Sequence, residues 1–261
     1  MKKNRLLGII FFLALLAAWG FFYSRSGNAS IELFPKRTFE IFPLNDSAVG
    51  GFSTSEVQAA DTLLTASVTL RSGKAFTYAG VGFNLKSMNN RPVEPLDLTQ
   101  FDSMEVHVAS KRMNSVKLRV LTDDPVYSRN GDYPTLRVLE KSVPSAAYLL
   151  MGGSKERFAV TKFALNEFKV PEWWLSEQGL EEDDGKKYLD RSVFFEVTSG
   201  SSTLRGIPDD IEIRYARFWS NNEKQKEILY VVLGVIVLGF VVYLLTTSVA
   251  SRRSYAKKLD A

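Results

Sequence analysis

FTYAGVGFNLK, residues 76–86, sorts its side chains into two alternating sets along its whole length. Ala79, Val81, Phe83 and Leu85 form one set, and Tyr78, Gly80, Gly82 and Asn84 form the other. A period of two puts the first set on the buried face of a β-strand and the second on its outer face. Two glycines on one strand face leave room for close approach of backbone or of a neighbouring aromatic ring. Ser72-Gly73-Lys74 makes the turn into this strand from LLTASVTLR, residues 63–71, where Leu64, Ala66, Val68 and Leu70 share a face.

The same signal recurs on both sides. TFEIF (38–42) opens it, with turn clusters at Asn45-Asp46-Ser47 and Gly50-Gly51. Met104, Val106 and Val108 alternate with Glu105 and His107, and Val116, Leu118 and Val120 with Lys117 and Arg119. Further strands are expected at 135–143, 157–164, 193–198 and 211–219, about nine in all, with no long amphipathic helix among them. Short alternating strands separated by turns define an all-β fold, an antiparallel β-sandwich or jelly roll, over residues 37–220. A short polar tether, 24–36, precedes it, and NNEKQKE, 221–227, is the linker that follows.

Two transmembrane helices flank the sandwich. ILYVVLGVIVLGFVVYLL, 228–245, carries no charge and extends without one to residue 250. Eighteen helical residues cover roughly 27 Å, close to the hydrocarbon thickness of a bilayer. LLGIIFFLALLAAWGFFY, 6–23, is the second apolar run, behind the tail 1–5 with Lys2, Lys3 and Arg5. It reads as a retained anchor; a cleaved signal peptide is the alternative, but its apolar part is long for that class and ends in bulky aromatics. Lys and Arg beside each run, including Arg252, Arg253, Lys257 and Lys258 in the tail 251–261, place both tails in the cytoplasm and 24–226 outside it. The expected location is a bacterial inner membrane with the main domain periplasmic.

Charge agrees. Seven of the 33 basic residues and one of the 29 acids lie in the two tails, which leaves 26 basic against 28 acidic residues elsewhere. No basic field for nucleic acid remains. The absence of cysteine excludes thiol nucleophiles, Cys-based zinc sites and iron–sulfur clusters.

The strand Tyr78-Ala79-Gly80-Val81-Gly82-Phe83, the turn Asp97-Leu98-Thr99-Gln100-Phe101-Asp102, the strand 116–122 and the later Phe163–Phe168 stretch carry a resemblance. The segment resembles the galactose-binding-like jelly rolls of the family-11 carbohydrate-binding modules and the complex I intermediate-associated protein 30 group, across roughly residues 38–220. It implies a jelly-roll fold more firmly than any ligand. A domain of this kind between two spans also resembles the sensor region of bacterial membrane receptors. This chain departs from them, since only about eleven residues follow the second span and no output domain is among them.

Catalytic chemistry finds few residues. The single histidine, His107, reads as a solvated strand position. Asp123-Asp124, Glu181-Glu182-Asp183-Asp184 and Asp209-Asp210 fall in expected loops, where acidic runs are commonly just solvated. With Asp46 or Asp102 they could hold a structural Ca²⁺ through oxygen ligands, without EF-hand spacing and with no residues assignable; no other cofactor or metal site is expected. Glycan sites combine an aromatic platform with Arg, Asp or Asn hydrogen-bonding groups. The candidates are Tyr78 and Asn84 on the outer strand face, Arg119, Arg137, Tyr127, Tyr133, and the adjacent Trp173 and Trp174. Of the two tryptophans, one is expected to cap the domain and the other to face a groove or partner, unless the segment simply anchors a long loop, the reading slightly preferred. The combined expectation is a non-enzymatic, membrane-anchored, carbohydrate-binding-module-like sensor or adaptor. It would signal through the second span to a membrane or cytoplasmic protein. The alternative is a structural or assembly protein that uses the sandwich for protein–protein contacts.

Overall fold

The computed structural model describes residues 2–25, 29–73, 76–123, 135–144, 158–179, 189–220 and 223–259. The chain forms two compact units, Ala29–Ser220 and the pair of terminal helices.

Among the described residues the first unit holds twelve strands: β1 (Ser30–Phe34), β2 (Phe39–Asn45), β3 (Thr54–Ala59), β4 (Leu64–Thr69), β5 (Ala79–Met88), β6 (Arg91–Pro92), β7 (Ser103–Ser110), β8 (Ser115–Thr122), β9 (Thr135–Ser142), β10 (Ala159–Ala164), β11 (Ser192–Ser199) and β12 (Asp209–Trp219). They build two antiparallel six-stranded sheets. One runs β10-β7-β12-β4-β3, with β1 also paired to β12; the other runs β2-β5-β11-β8-β9, with β6 paired to β5. This is the jelly-roll sandwich expected from the alternation.

The core lies between the sheets. Ala79, Val81, Phe83 and Leu85 of β5 are fully buried, as are Val116, Leu118 and Val120 of β8. Phe83 and Phe195 of one sheet have ring centroids 5.9 Å apart, and Phe195 meets Phe218 of the other edge-on at 5.7 Å. Burying a large apolar side chain contributes about 1.5–3 kcal/mol, so this aromatic line joins the sheets at considerable gain. Three strands were not expected from the sequence. β1 lies within the stretch read as tether and buries Leu33 and Phe34 in the core, β3 is an edge strand, and β6 has two residues.

Buried carboxylates close the loops. Asp46 accepts hydrogen bonds from Ser53 N (2.9 Å) and Ser53 Oγ (2.8 Å). Asp209 accepts from Arg112 N (2.9 Å) and Met113 N (2.7 Å). On the outer face of the first sheet, buried Glu105 accepts from Arg217 Nη2 (2.7 Å) and Nε (3.1 Å), with His107 Nε2 3.0 Å and Lys162 Nζ 3.8 Å away. His107 is therefore a hydrogen-bond partner of Glu105, not simply a solvated side chain. Burial alone would raise the Glu105 carboxyl's pKa, but hydrogen bonds from His107 and Arg217 outweigh it and hold it below the ordinary glutamate value.

The second unit pairs α1 (Lys2–Arg25) with α3 (Glu223–Leu259). Each contains a stretch long and apolar enough to cross a membrane, Leu6–Ser24 and Lys226–Val249. They run antiparallel: Phe12 lies against Phe240, Trp19 Nε1 donates to Leu229 O at 2.7 Å, and the Tyr23 and Tyr230 hydroxyls are 2.9 Å apart. α3 is continuous, so most of the expected linker and the tail belong to the same helix as the span.

Candidate ligand-binding site

A cleft of about 520 Å³ opens on the outer face of the second sheet, at the end where β5 begins. Its floor is the outward set of adjacent strands: Thr198 from β11, Lys117 and Arg119 from β8, and Leu136 and Val138 from β9. Residues 199–205 close one end, and Phe76, Thr77 and Tyr78 enter along another side. The remaining wall comes from Lys169, Val170, Pro171 and Trp173. That wall is docked by the backbone: Val138 N donates to Lys169 O at 2.8 Å, and Lys169 N returns to Val138 O at 3.3 Å.

Directly after Pro171 comes the short helix α2 (Glu172–Gln178), ended by Gly179 at φ 64. Neighbours in a helix point about 100° apart, which separates the two tryptophans. Trp174 is 7% exposed and packs with Leu175 and Val170. Trp173 is 40% exposed and stacks on Phe76, with centroids 5.2 Å apart and planes at 19°. Trp174 thus packs inward and Trp173 lines the cleft.

Tyr78 and Arg119 are brought together on the floor. The Arg119 guanidinium carbon lies 4.6 Å from the Tyr78 ring centroid, and Arg119 Nε lies 3.1 Å from Glu196 Oε2. Glu196 is buried beneath, and neither of these two atoms has a well-oriented hydrogen bond. Burial raises the Glu196 carboxyl's pKa, while Arg119 opposes the shift. Burial likewise raises the Tyr78 phenol, with Arg119 again pulling it down. The far end is pinned by Glu140, whose Oε1 accepts from Ser201 N (2.7 Å), Ser201 Oγ (2.6 Å) and Ser115 Oγ (2.7 Å). Burial works against this carboxylate's charge, but those bonds and Lys117 hold its pKa low.

Other expected residues lie elsewhere. Asn84 shares the Tyr78 face, but six residues at ~3.3 Å each place it roughly 20 Å along the strand. There Asn84 Nδ2 donates to Glu40 at 2.9 Å and lines a second, polar cleft of about 610 Å³ beside an Asp123–Arg191 pair (2.8 Å). Arg137 faces inward: it pairs across from Val120, is 2% exposed, and donates to Thr122 Oγ1 at 2.6 Å. The two glycines clear no platform for a ligand. A Cβ on Gly82 would collide with the Phe42 ring, and one on Gly80 with the Val197 carbonyl oxygen. Their space is filled by protein. Tyr127 and Tyr133 lie outside the described residues, as do Asp124 and the 181–184 acidic run. The residues that sequence reasoning missed are Phe76, Lys117, Lys169 and Arg205. Only Lys117 carried a signal, two residues before Arg119 on the same strand face.

Among the described residues no three of His, Asp and Glu converge on a metal position. Asp46 and Asp209, two of the carboxylates considered for Ca²⁺, already hold loop N–H or O–H groups.

No protein-family model matches the chain, and neither does any curated protein sequence. Among solved structures, the family-11 carbohydrate-binding module from Clostridium thermocellum, in complex with a beta-1,3-1,4-mixed-linked tetrasaccharide, is similar at 10% identity and a TM-score of 0.46. The match covers 74% of this chain and 95% of that one. The same family's module from the cellulosomal cellulase Lic26A-Cel5E gives the same TM-score and identity, over 74% and 94%. The catalytic domain of an endo-1,3-beta-glucanase from Thermotoga petrophila follows at 13% identity and a TM-score of 0.34, over 74% and 96%. The modules belong to the family that the Tyr78–Phe83 motif resembles. The sandwich itself stands on its sheet order and register.

Proposed function

We propose that the Trp173 cleft binds a glycan chain without cleaving it, and that the protein is a membrane-held sensor or adaptor module. The observation that carries this reading is one cleft with a stacked Phe76–Trp173 pair on its wall and Tyr78 over Arg119 on its floor. Flat rings match the C–H faces of sugars, and the hydroxyls of Thr77, Thr198 and Ser201 match their OH groups. No Asp or Glu is among the described residues that line the cleft, Glu196 and Glu140 both lying behind the lining, whereas glycoside hydrolysis by the common routes needs two carboxyl groups flanking the bond. The sandwich lies on the outer side of a bacterial inner membrane, and occupancy is passed through α3 to a membrane or cytoplasmic protein.

The test is titration of the full chain, in a polyoxyethylene detergent that carries no sugar headgroup, with a panel of β-glucan, peptidoglycan and acidic oligosaccharides. Saturable binding without product formation supports the reading; no binding by any member refutes it. A second reading, assembly through protein contact, is favoured by the exposed Phe52, Phe76 and Leu204, each more than 60% accessible. Absence of glycan binding together with co-purification of a partner lost on Phe52→Ser and Leu204→Ser would establish it.

A further inference from the structure

We infer that the occupant of this cleft is an anionic glycan, one bearing carboxylate or sulfate groups along its chain. The inference rests on the glycan reading above and adds the charge class. The charged side chains that line the cleft are Lys117, Arg119, Lys169 and Arg205, all basic, and no Asp or Glu is among the described lining residues. Two of the four are balanced by acids that lie behind the lining. Arg119 has Glu196 at 3.1 Å, and Lys117 acts on Glu140 across the β8–β9 pair. Lys169 on the wall and Arg205 at the closed end have no acidic partner among the described residues. Among the described residues the cleft therefore carries two uncompensated positive charges.

A neutral sugar is a poor match for that lining. Its hydroxyls need acceptors as well as donors, and carboxylates serve that purpose best because they accept strongly at two oxygens. Here neither nearby carboxylate is part of the lining, Glu196 lying buried beneath Arg119 and Glu140 holding three serine donors on Oε1, so the side-chain acceptors on the lining are the hydroxyls of Tyr78 and of the serines and threonines. An acidic sugar reverses the balance. Its ring still stacks on Trp173, while its anions reach Lys169 and Arg205, two attachment points at different sides of one cleft. Ammonium and guanidinium groups both bind carboxylate and sulfate, and the guanidinium does so through two parallel bonds.

The experiment uses the full chain in the same sugar-free detergent. Oligogalacturonate, alginate and hyaluronan oligosaccharides are titrated with their carboxylates free and methyl-esterified, beside sulfated oligosaccharides and a mixed-linked β-glucan tetrasaccharide. At least one free acid or sulfated oligomer should bind tenfold or more tightly than its neutral counterpart at 50 mM NaCl. That margin should shrink severalfold at 500 mM, as screening shortens the reach of exposed charges. Lys169→Gln with Arg205→Gln should abolish the margin and leave the thermal midpoint unchanged. Equal or tighter binding of the neutral forms overturns the charge class and leaves the glycan reading intact. A margin that survives the double substitution assigns the anion to other residues and also overturns it. Binding of none of the sugars overturns both readings, whether or not vesicles of anionic lipid are bound.

Discussion

Trp173 and Trp174 are neighbours in sequence and should behave as opposites. Trp173 is 40% exposed; aromatic side chains present 150–250 Å², so roughly 80 Å² of this ring is open to a ligand. A sugar lying on one face covers about half of that, worth about 1 kcal/mol at ~25 cal/mol per Å². Stacking adds about 0.5–1.5 kcal/mol. Trp173→Ala should thus remove about 1.5–2.5 kcal/mol of binding, a loss of roughly 10- to 70-fold in affinity. Folding should lose less, because only the contact with Phe76 and part of the cleft wall goes. Trp174→Ala instead empties the small cluster with Leu175 and Val170, and core tryptophan truncations cost about 3–5 kcal/mol. Calorimetric titration with the best oligosaccharide of the panel, alongside thermal melts of both variants, separates the two effects. The reasoning fails if Trp173→Ala binds as tightly as the parent, or if it lowers the midpoint as far as Trp174→Ala does.

Three other expectations are independent of the ligand's identity. The Glu105 carboxyl titrates below its ordinary 4.5 in the folded protein, so its contribution is complete above that value and disappears as pH falls through the lowered one. Midpoints measured from pH 7 to 3 should show an acid-side decline that Glu105→Gln flattens, at a cost of about 2 kcal/mol near neutrality for the lost charged hydrogen bonds. Gly80→Ala drives a methyl group against the Val197 carbonyl and should destabilise by about 1–3 kcal/mol, read as a lower denaturation midpoint; an unchanged midpoint would show that β5 and β11 can part without loss. Reporters fused at residue 261 should be active only as cytoplasmic fusions, and fusions within the sandwich only as exported ones.

The residues whose faces were legible in the sequence are those where one side of a strand is wholly apolar. Residues 79–86 of β5 and 116–120 of β8 keep one side wholly apolar, and their inward sets follow directly. β9 does not: in TLRVLEKS, residues 135–142, both faces carry an apolar residue and a charged one, so period two cannot say which way Arg137 points. Pairing decides it, by setting Arg137 opposite Val120 on the inner face. β3, TSEVQA, has too little apolar content to announce itself because it is a half-solvated edge. The cleft was legible in its parts, Tyr78, Arg119 and a single outward tryptophan, and illegible as a whole. Its wall exists because Lys169 bonds to Val138, thirty-one positions earlier, a closure that local pattern does not contain. Asn84 was grouped with Tyr78 because face was read and distance along the strand was not.

The two ends of the sandwich meet. Ser220 N donates to Ala29 O at 2.9 Å, Ala29 N donates to Ser220 Oγ at 2.9 Å, and the ladder continues inward from Ser30 opposite Trp219. In mechanical terms this is the open end of a zipper. A pull that spreads residues 29 and 220 loads the outermost hydrogen bonds first and one at a time, whereas a pull along the strands would shear the ladder together. Tension delivered through the two chain ends would therefore peel β1 from β12, exposing Leu33 and Phe34, while the β2-β5-β11-β8-β9 sheet and its cleft lie beyond the first bonds to give way.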